Sequence, residues 1–225
     1  MFDTIAPRYD TLNRIMSLGL DQRWRRRAID ALGIGPGATV LDLACGTGDL
    51  SRACARRGYR VIGDDLSFGM LSVSHAGTPR VQGDASALPV ASASVDAIIC
   101  GYGLRNFDDL DRVLSEAARV LRPGGRLVVL EISIPPSAVL RAGYHVWFER
   151  VVPVVGGLLS DPAAYRYLPR STGYLPTAAE FRQLLLRHGF ATAGHQLLAG
   201  GLSQLFTATR VGMPADALTA SACAP

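Results

Sequence analysis

The middle of the chain alternates short runs of branched apolar residues with longer segments that have helical periodicity. Glycine and polar residues bound these runs, a pattern typical of the β/α units that build a parallel sheet. The pattern predicts five strands, at Thr39–Leu43, Tyr59–Gly63, Val81–Gly83, Val95–Gly101 and Arg126–Glu131. It predicts helices between them at Leu50–Arg57, Phe68–His75 and Leu110–Leu121, the last one ended by a Pro/Gly turn over Leu121–Gly125.

The C-terminal part of the pattern predicts how the sheet is completed. Ala178–His188 has the apolar spacing of an amphipathic helix, with Gly189 placed to end it, and Thr192–Leu198 with Ser203–Thr209 is typical of an antiparallel hairpin. The sequence therefore predicts a Rossmann-like α/β fold, with a seven-stranded, mostly parallel sheet and helices on both faces. We assign residues 1–210 to one domain and expect 211–225 to form a flexible tail.

Two segments lie outside this alternation. Residues 1–31 are semi-apolar and predict an N-terminal helical cap, and residues 134–176 form an insertion before the last helix. Ligands of open α/β sheets bind beyond the carboxyl ends of the strands, so we expect this insertion to act as a substrate lid. Its aromatic residues Tyr144, Trp147 and Phe148 suit an apolar groove, a peripheral membrane contact, a homodimer contact or simple packing on the sheet.

Composition and charge narrow the function classes. The chain has 225 residues, 48% of them hydrophobic, which fits one well-packed domain. Its four cysteines and four histidines have no metal-ligand spacing, so we predict neither a metal site nor a disulfide framework. The basic run Arg23–Arg27 favours a solvated helix face over a nucleic-acid or membrane patch, and no nucleic-acid motif accompanies it. Met1–Ala6 has no secretory pattern, so we expect a cytoplasmic protein, with membrane association left as an alternative.

The strongest chemical signal is the loop that follows the first predicted strand. Asp42 ends the apolar run, and small residues follow at Ala44, Gly46 and Gly48. Small residues there let backbone amides approach a ligand closely and allow a tight turn into the next helix. Ser51 stands where the dinucleotide fingerprint has its third glycine, so the loop does not predict a dinucleotide site.

Further polar residues follow the next strands in order. Asp65, with Leu66 after it, is placed to accept hydrogen bonds from ribose hydroxyls, and Asp84, with Ala85, is placed to accept one from an adenine amino group. Gly101 ends the fourth predicted strand on the same side. Each aspartate alone is more often a turn or cap residue. The ordered set predicts a site for a nucleoside cofactor.

These motifs resemble those of class I S-adenosylmethionine-dependent methyltransferases, and in particular the ubiquinone/menaquinone biosynthesis C-methyltransferase family. The resemblance runs from Phe2 to about Gly201, and the segments that carry it are Phe2–Asn13, Met16–Gly19, Asp42–Gly48, Gly63–Ser67, Gly101–Asn106, Leu121–Gly125, Leu130–Pro135 and Ala164–Pro169. It implies S-adenosyl-L-methionine as the cofactor and an apolar quinol, demethylmenaquinol or a related quinone precursor, as the substrate.

The resemblance also implies catalytic residues. Arg105 and Asn106 follow the fourth strand and are expected near the substrate, with Arg105 stabilising a phenolate or orienting a water, since guanidinium is a poor base. A surface salt bridge from Arg105 to Asp108 or Asp109 is the alternative. Tyr9 is expected to close the site, or else to be a core aromatic. His145 is the histidine placed to act as a base, or else a structural residue.

Two alternatives to the quinol enzyme remain at this level. The chain departs from the family pattern at Leu175 and over Leu202–Thr209, where a histidine is absent. A natural-product C- or O-methyltransferase descended from the same family fits these departures. A non-catalytic cofactor-binding scaffold is the other alternative, and the complete set of glycines and aspartates disfavours it.

Overall fold

A seven-stranded sheet lies at the centre of the computed structural model. The structure describes residues 9–73, 77–147, 150, 152 and 172–212; for residues 9–12 and 172 it describes the backbone and not the side chains. The strands are β1 (Thr39–Leu43), β2 (Arg60–Asp65), β3 (Arg80–Gln82), β4 (Val95–Gly101), β5 (Leu121–Ile132), β6 (Phe190–Leu198) and β7 (Ser203–Arg210). The α-helices described are α1 (Tyr9–Met16), α2 (Leu20–Asp30), α3 (Asp49–Arg56), α4 (Phe68–Val73), α5 (Leu110–Val120), α6 (Ala138–Val146) and α7 (Ala178–Arg187). Short 3₁₀ turns lie at Leu104–Asn106, Thr172–Tyr174 and Ala199–Gly201.

The strand order is β3-β2-β1-β4-β5-β7-β6. The first five strands in this order are parallel, and β7 runs antiparallel to both β5 and β6. The predicted seven-stranded, mostly parallel sheet and its closing hairpin are confirmed. Because β1 and β4 are neighbours at the centre, the loops that follow them diverge and leave a crevice at the carboxyl edge, where ligands of such folds bind.

Alternation along the central strands produces two buried cores, one on each face. Val40 packs on one face with Ala28 of α2 and Leu50 of α3. Its neighbour Leu41 points to the other face, into a cluster with helices α5 and α7 that includes Phe181. This alternation confirms that helices cover both faces, and it holds the carboxyl edge of the sheet in a fixed position.

The Pro/Gly segment after α5 differs from its prediction as a plain turn. Strand β5 begins at Leu121, which pairs with Val95, and Arg126 then pairs with Ala97, with a register irregularity between Val95 and Ala97. Gly124 takes a positive φ of 78° inside this irregularity. The Pro/Gly segment therefore does interrupt the regular structure, as the sequence predicts. The residues before and after it both pair with β4, so the strand continues through the interruption.

The other predicted boundaries agree with the structure to within about two residues. The predicted end of α4 at His75 lies outside the described residues, as do residues 1–8, 153–171 and 213–225. The segment predicted to be an N-terminal cap contains α1 and α2, and the segment predicted to be a lid contains α6; we keep the names cap and lid for these helices. No helix among the described residues is long and apolar enough to cross a membrane.

Candidate active site

The loop between β1 and α3 has a backbone that favours small residues. Ala44 has a φ of 54°, and Gly48, which precedes α3, has a φ of 82°. A second loop packs tightly against it, since a Cβ placed on Gly103 would lie 2.8 Å from the Cβ of Ala44. Glycine at 103 is therefore required for the loops after β1 and β4 to approach each other.

Asp65 at the end of β2 connects that strand to the β1 loop. Its Oδ2 accepts a hydrogen bond from the backbone N–H of Gly46 at 2.7 Å, and its Oδ1 accepts one from the N–H of Ser67 at 2.8 Å. A carboxylate oxygen has two lone pairs and can accept more than one hydrogen bond, as a ligand hydroxyl would require. The two amides fix the orientation of this carboxylate toward the crevice.

Asp84 follows β3 and is held in a similar way. Its Oδ1 accepts hydrogen bonds from the backbone N–H and the Oγ of Ser86, at 2.8 and 2.7 Å. These bonds to the charged form hold the pKa of Asp84 below its ordinary value. An ionised acceptor is therefore available here at neutral pH.

These loops enclose a cavity of about 440 Å³, which we call the polar cavity. Of the residues predicted from sequence to bind a cofactor or act in catalysis, eight line it: Ala44, Gly46, Asp65, Leu66, Asp84, Ala85, Gly101 and Asn106. The structure thus brings residues from the ends of four strands to one place. Of the predicted cofactor residues, Asp42 and Gly48 are not among those that line it.

Asp42 lies beneath the β1 loop. It is 1% exposed and accepts a hydrogen bond from the Ser51 Oγ. Burial raises its pKa to about 7, against the lowering effects of Ser51 and of the positive charge on Arg25. Through Ser51, Asp42 supports the start of α3. It lies beneath the β1 loop that was predicted to bind the cofactor.

Arg105 is placed differently from either salt bridge considered above. It is buried in the 3₁₀ turn after β4 and pairs with Glu131 at the end of β5, through Nη1 and Oε1. Glu131 is fully buried, and its Oε2 also accepts from the Arg105 backbone N–H at 3.3 Å. The alternative of a surface salt bridge to Asp108 or Asp109 is wrong because the turn directs the guanidinium toward the neighbouring strand end.

A second cavity, of about 370 Å³, lies next to Arg105, and we call it the apolar cavity. Its walls come from α1, α2, α6 and the turn before β7, and include Met16, Leu18, Leu20, Trp24, Ile132, Val139, Leu140, Gly143, Tyr144, Trp147 and Leu202. The Trp147 Nε1 donates to the backbone carbonyl of Met16 at 3.0 Å and so joins the lid to the N-terminal cap.

Tyr144 of α6 contributes a buried phenol to this cavity. Burial raises its pKa to about 12, while the positive charge of Arg105 acts to lower it and the negative charge of Glu131 to raise it. The phenol therefore stays protonated at neutral pH. It presents a neutral hydroxyl beside the Arg105–Glu131 pair.

Arg25 and Tyr102 line both cavities. Tyr102 has a φ of 64°, which is strained for an aromatic residue. The Cζ of Arg25 lies 5.5 Å from the centroid of the Tyr102 ring. The polar and apolar cavities therefore meet at this pair of side chains.

Sequence reasoning missed several residues that line the polar cavity. Thr47, inside the β1 loop, is 6% exposed and lines it, as do Arg25 and Tyr102. Two predicted residues lie elsewhere. His145 is exposed on α6 and is not among the residues that line either cavity. The side chain of Tyr9 lies outside the described part of the chain.

Comparison with known proteins yields a family match. Residues 1–210 match the ubiE/COQ5 methyltransferase family. The chain is 41% identical to the ubiquinone/menaquinone biosynthesis C-methyltransferase UbiE of Syntrophotalea carbinolica, over 96% of this chain and 94% of that protein. It is 42% identical to the demethylmenaquinone methyltransferase of Thermus thermophilus, over 93% of this chain and all of that protein. Its fold is similar to that of a S-adenosyl-L-methionine-dependent methyltransferase structure from Methanococcus maripaludis, with a TM-score of 0.70, 17% identity and 96% of each chain covered.

Proposed function

The chain belongs to the ubiE/COQ5 methyltransferase family, and we propose on that premise that it methylates a ring carbon of demethylmenaquinol or a closely related quinol. The observation that carries the proposal is the meeting of two unlike cavities at Arg25 and Tyr102. Methyl transfer requires a polar nucleoside site and an apolar aromatic site that open onto each other. Both cavities have the size of small-ligand pockets.

The residues of the polar cavity fit S-adenosyl-L-methionine. Asp65 is oriented by two amides to accept ribose hydroxyls, and Asp84 to accept from the adenine amino group. A Cβ on Gly83 would lie 2.2 Å from the Oδ1 of Asp64, so a bare backbone is needed beside this part of the cavity. When bound, the cofactor supplies an electrophilic methyl group on a sulfonium.

Arg105, which lines the apolar cavity, can prepare a quinol for this methyl group. A ring carbon becomes nucleophilic when an adjacent hydroxyl is ionised, and a free phenol has a pKa near ~10. Arg105 stays protonated and is held in place by Glu131, so it can stabilise the phenolate. Because Arg105 cannot accept a proton, a water oriented beside it takes the hydroxyl proton before transfer and the ring proton after it. The product phenolate then regains one proton from solvent, so one proton is released for each methyl group transferred.

The remaining predicted residues take supporting positions in this proposal. Asn106 lines the polar cavity next to Arg105. The exposed position of His145 gives it no part in the proposed chemistry. The mouth of the apolar cavity is formed by exposed Leu18, Val139 and Leu140, which suit the isoprenoid tail of a quinol or its bilayer.

The test is a substrate screen with the purified protein. Demethylmenaquinol and polyketide-type phenols are each supplied with S-adenosyl-L-methionine, and S-adenosylhomocysteine release is measured. We expect turnover with the quinol, and loss of deuterium from a substrate that is ring-deuterated at the methylated carbon. Methylation with retention of the deuterium would indicate an O-methyltransferase, and preference for the phenols would indicate a natural-product enzyme. Cofactor binding without any turnover would favour the scaffold alternative.

A further inference from the structure

The basic run Arg23–Arg27 separates into two faces once it is folded into α2. Arg23, Arg26 and Arg27 are exposed, whereas Arg25 is 9% exposed and lies beside buried Trp24. The expected solvated face therefore accounts for three of the four arginines. A buried arginine is rare without compensating partners, so Arg25 requires its own explanation.

Part of that explanation is Asp21, one helical turn earlier. Its Oδ2 lies 3.7 Å from the Nε of Arg25. The same carboxylate also accepts hydrogen bonds from the Ser17 Oγ at 2.9 Å and the Gln22 Nε2 at 3.1 Å. Asp21 thus forms an ion pair on the Nε side of Arg25, and the positive charge of Arg25 also acts on buried Asp42. The two Nη atoms form the other side of the guanidinium, its fork.

That fork lies at the end of β4, on the border of the polar cavity. The Nη1 of Arg25 is 3.6 Å from the position that a Cβ on Gly101 would take. Because Gly101 has no side chain, the space beside Nη1 stays open to the cavity. Gly101 and Arg25 both line it.

The charges around the polar cavity are strongly unequal. Six aspartates among the described residues line it. Burial raises the pKa of Asp64 to about 7, so most of the negative charge comes from the other five: Asp49, Asp65, Asp84, Asp108 and Asp109. The arginines that line it in the same part of the chain are Arg25 and Arg112. Arg112 is exposed on α5, and its charge acts on Asp84, at the β3 end. A ligand carboxylate would be repelled by most of this surface and attracted to one of these two cations.

The proposed cofactor carries such a carboxylate on its amino-acid part. Asp65 and Asp84 assign the nucleoside to the β2 and β3 ends, which leaves the amino-acid part for the side of β1 and β4. Arg25 is the arginine on that side. We propose that Arg25 binds the α-carboxylate of S-adenosyl-L-methionine, an inference that rests on the proposed function. A buried guanidinium provides a charge-assisted and geometrically defined contact there.

The test compares two ligands that differ only in this group. Binding of S-adenosyl-L-methionine and of its decarboxylated form is measured by calorimetry on the wild type, Arg25→Gln, Arg25→Lys and the exposed control Arg26→Gln. We expect the wild type to prefer the carboxylated ligand by roughly tenfold or more. Arg25→Gln should abolish this preference while binding the decarboxylated ligand as the wild type does, Arg25→Lys should retain part of it, and Arg26→Gln all of it.

The outcomes separate the two levels of the proposal. A wild type that binds neither ligand would overturn the proposed function itself. A wild type that binds both ligands equally would overturn the assignment of Arg25 without any variant. An undiminished preference in Arg25→Gln, with a raised KM for the quinol, would place Arg25 in the apolar cavity instead and overturn the inference. The decarboxylated ligand also reports whether each variant retains a folded nucleoside pocket.

Discussion

The polar and apolar cavities share Arg25 and Tyr102, yet they are built in different ways. The polar cavity is assembled from loops that follow four adjacent strands, each positioned by the sheet. The apolar cavity is assembled from helices α1 and α2, which follow each other in the chain, and from α6, which is distant from both in sequence. One site is therefore specified by local motifs on a rigid frame, and the other by tertiary packing of a cap and a lid.

The two cavities also treat buried charge differently. Beside the apolar cavity, Arg105 and Glu131 neutralise each other at the ends of β4 and β5. Beside the polar cavity, Asp64 is buried, and its Oδ1 has no hydrogen-bond partner among the described residues. Removing one charge of the Arg105–Glu131 pair should therefore lower the free energy of unfolding, whereas removing the charge of Asp64 should raise it.

The largest effect is expected at the ion pair. Arg105→Leu should lower kcat by roughly 100-fold or more, because the phenolate loses its preorganised positive charge. It should also lower the free energy of unfolding by about 3–5 kcal/mol, because Glu131 is left buried and unpaired. Affinity for S-adenosyl-L-methionine should not change. Single-turnover assays, urea unfolding and calorimetry measure the three quantities.

A double variant separates catalysis from stability at this pair. Arg105→Leu with Glu131→Gln removes both charges, so it should regain much of the lost stability and none of the activity. Recovery of turnover in the double variant would show that Arg105 acts only by neutralising Glu131. Its role would then be structural.

The next effect concerns Asp64 and has a defined pH dependence. Burial raises the pKa of Asp64 to about 7 from an ordinary value of 3.8, and the charges of Asp65 and Asp84 add to this. The folded protein retains a proton there that the unfolded chain has released, so the free energy of unfolding falls as pH rises from about 4 to 7. Asp64→Asn should remove this part of the fall. Its stability relative to that of the wild type should therefore increase by about 2–3 kcal/mol between pH 5 and pH 8.

Chemical denaturation across this pH range measures that difference. Asp42, whose pKa is shifted in the same direction, remains in both proteins and does not affect the comparison. Asp108→Asn, which removes an exposed carboxylate from the same cavity, is the matched control for loss of one negative charge. A stability difference between Asp64→Asn and the wild type that is constant with pH would contradict the prediction.

The contrast between the cavities also explains what could be predicted from the sequence. The elements of the sheet were predictable because buried strands read as apolar runs with glycine or polar ends. Gly46, Asp65 and Asp84 were predictable because their positions follow directly from those ends. For the apolar cavity only the lid side was predictable, from the aromatic residues of the insertion. Its other walls were not, since nothing in the local pattern brings Met16 and Leu202 to Trp147.

Two residues that the sequence analysis missed, Arg25 and Glu131, could have been found from sequence patterns. The buried positions Asp21, Trp24, Arg25, Ala28 and Ile29 have the spacing of one helical face, which places Arg25 on the inner side of α2. Glu131 lies at the end of β5, and Arg105 follows β4, the strand next to β5 in the sheet. The sequence could therefore have suggested an ion pair between the two at the carboxyl edge. By contrast, the pairing that continues β5 through Leu121–Gly125 depends on contact with Val95, which local turn residues do not specify.

A smaller effect is expected at Asp65. Asp65→Ala should weaken S-adenosyl-L-methionine binding by roughly tenfold or more, because it removes the ribose acceptor and the bond that fixes the Gly46 amide. Asp65→Asn retains one acceptor and should lose less. The far-UV spectrum and the binding of a quinone analogue should not change in either variant. Unaltered affinity in Asp65→Ala would remove Asp65 from the site.

The smallest effect is expected at the mouth of the apolar cavity. Leu140 is 45% exposed and lines the cavity, and a Cβ on Gly200 would lie 2.7 Å from its Cδ1, so it closes the gap between α6 and the turn before β7. Leu140→Gln should raise the KM for the quinol by about fivefold, the value of about 1 kcal/mol of lost apolar contact. Neither kcat nor cofactor affinity should change, because the sheet positions Arg105 and the β1 loop independently of α6. Leu186→Gln, at an exposed leucine of α7 that lines neither cavity, is the control. A weakened cofactor affinity in Leu140→Gln would mean that the two cavities are not independent and that the lid supports both.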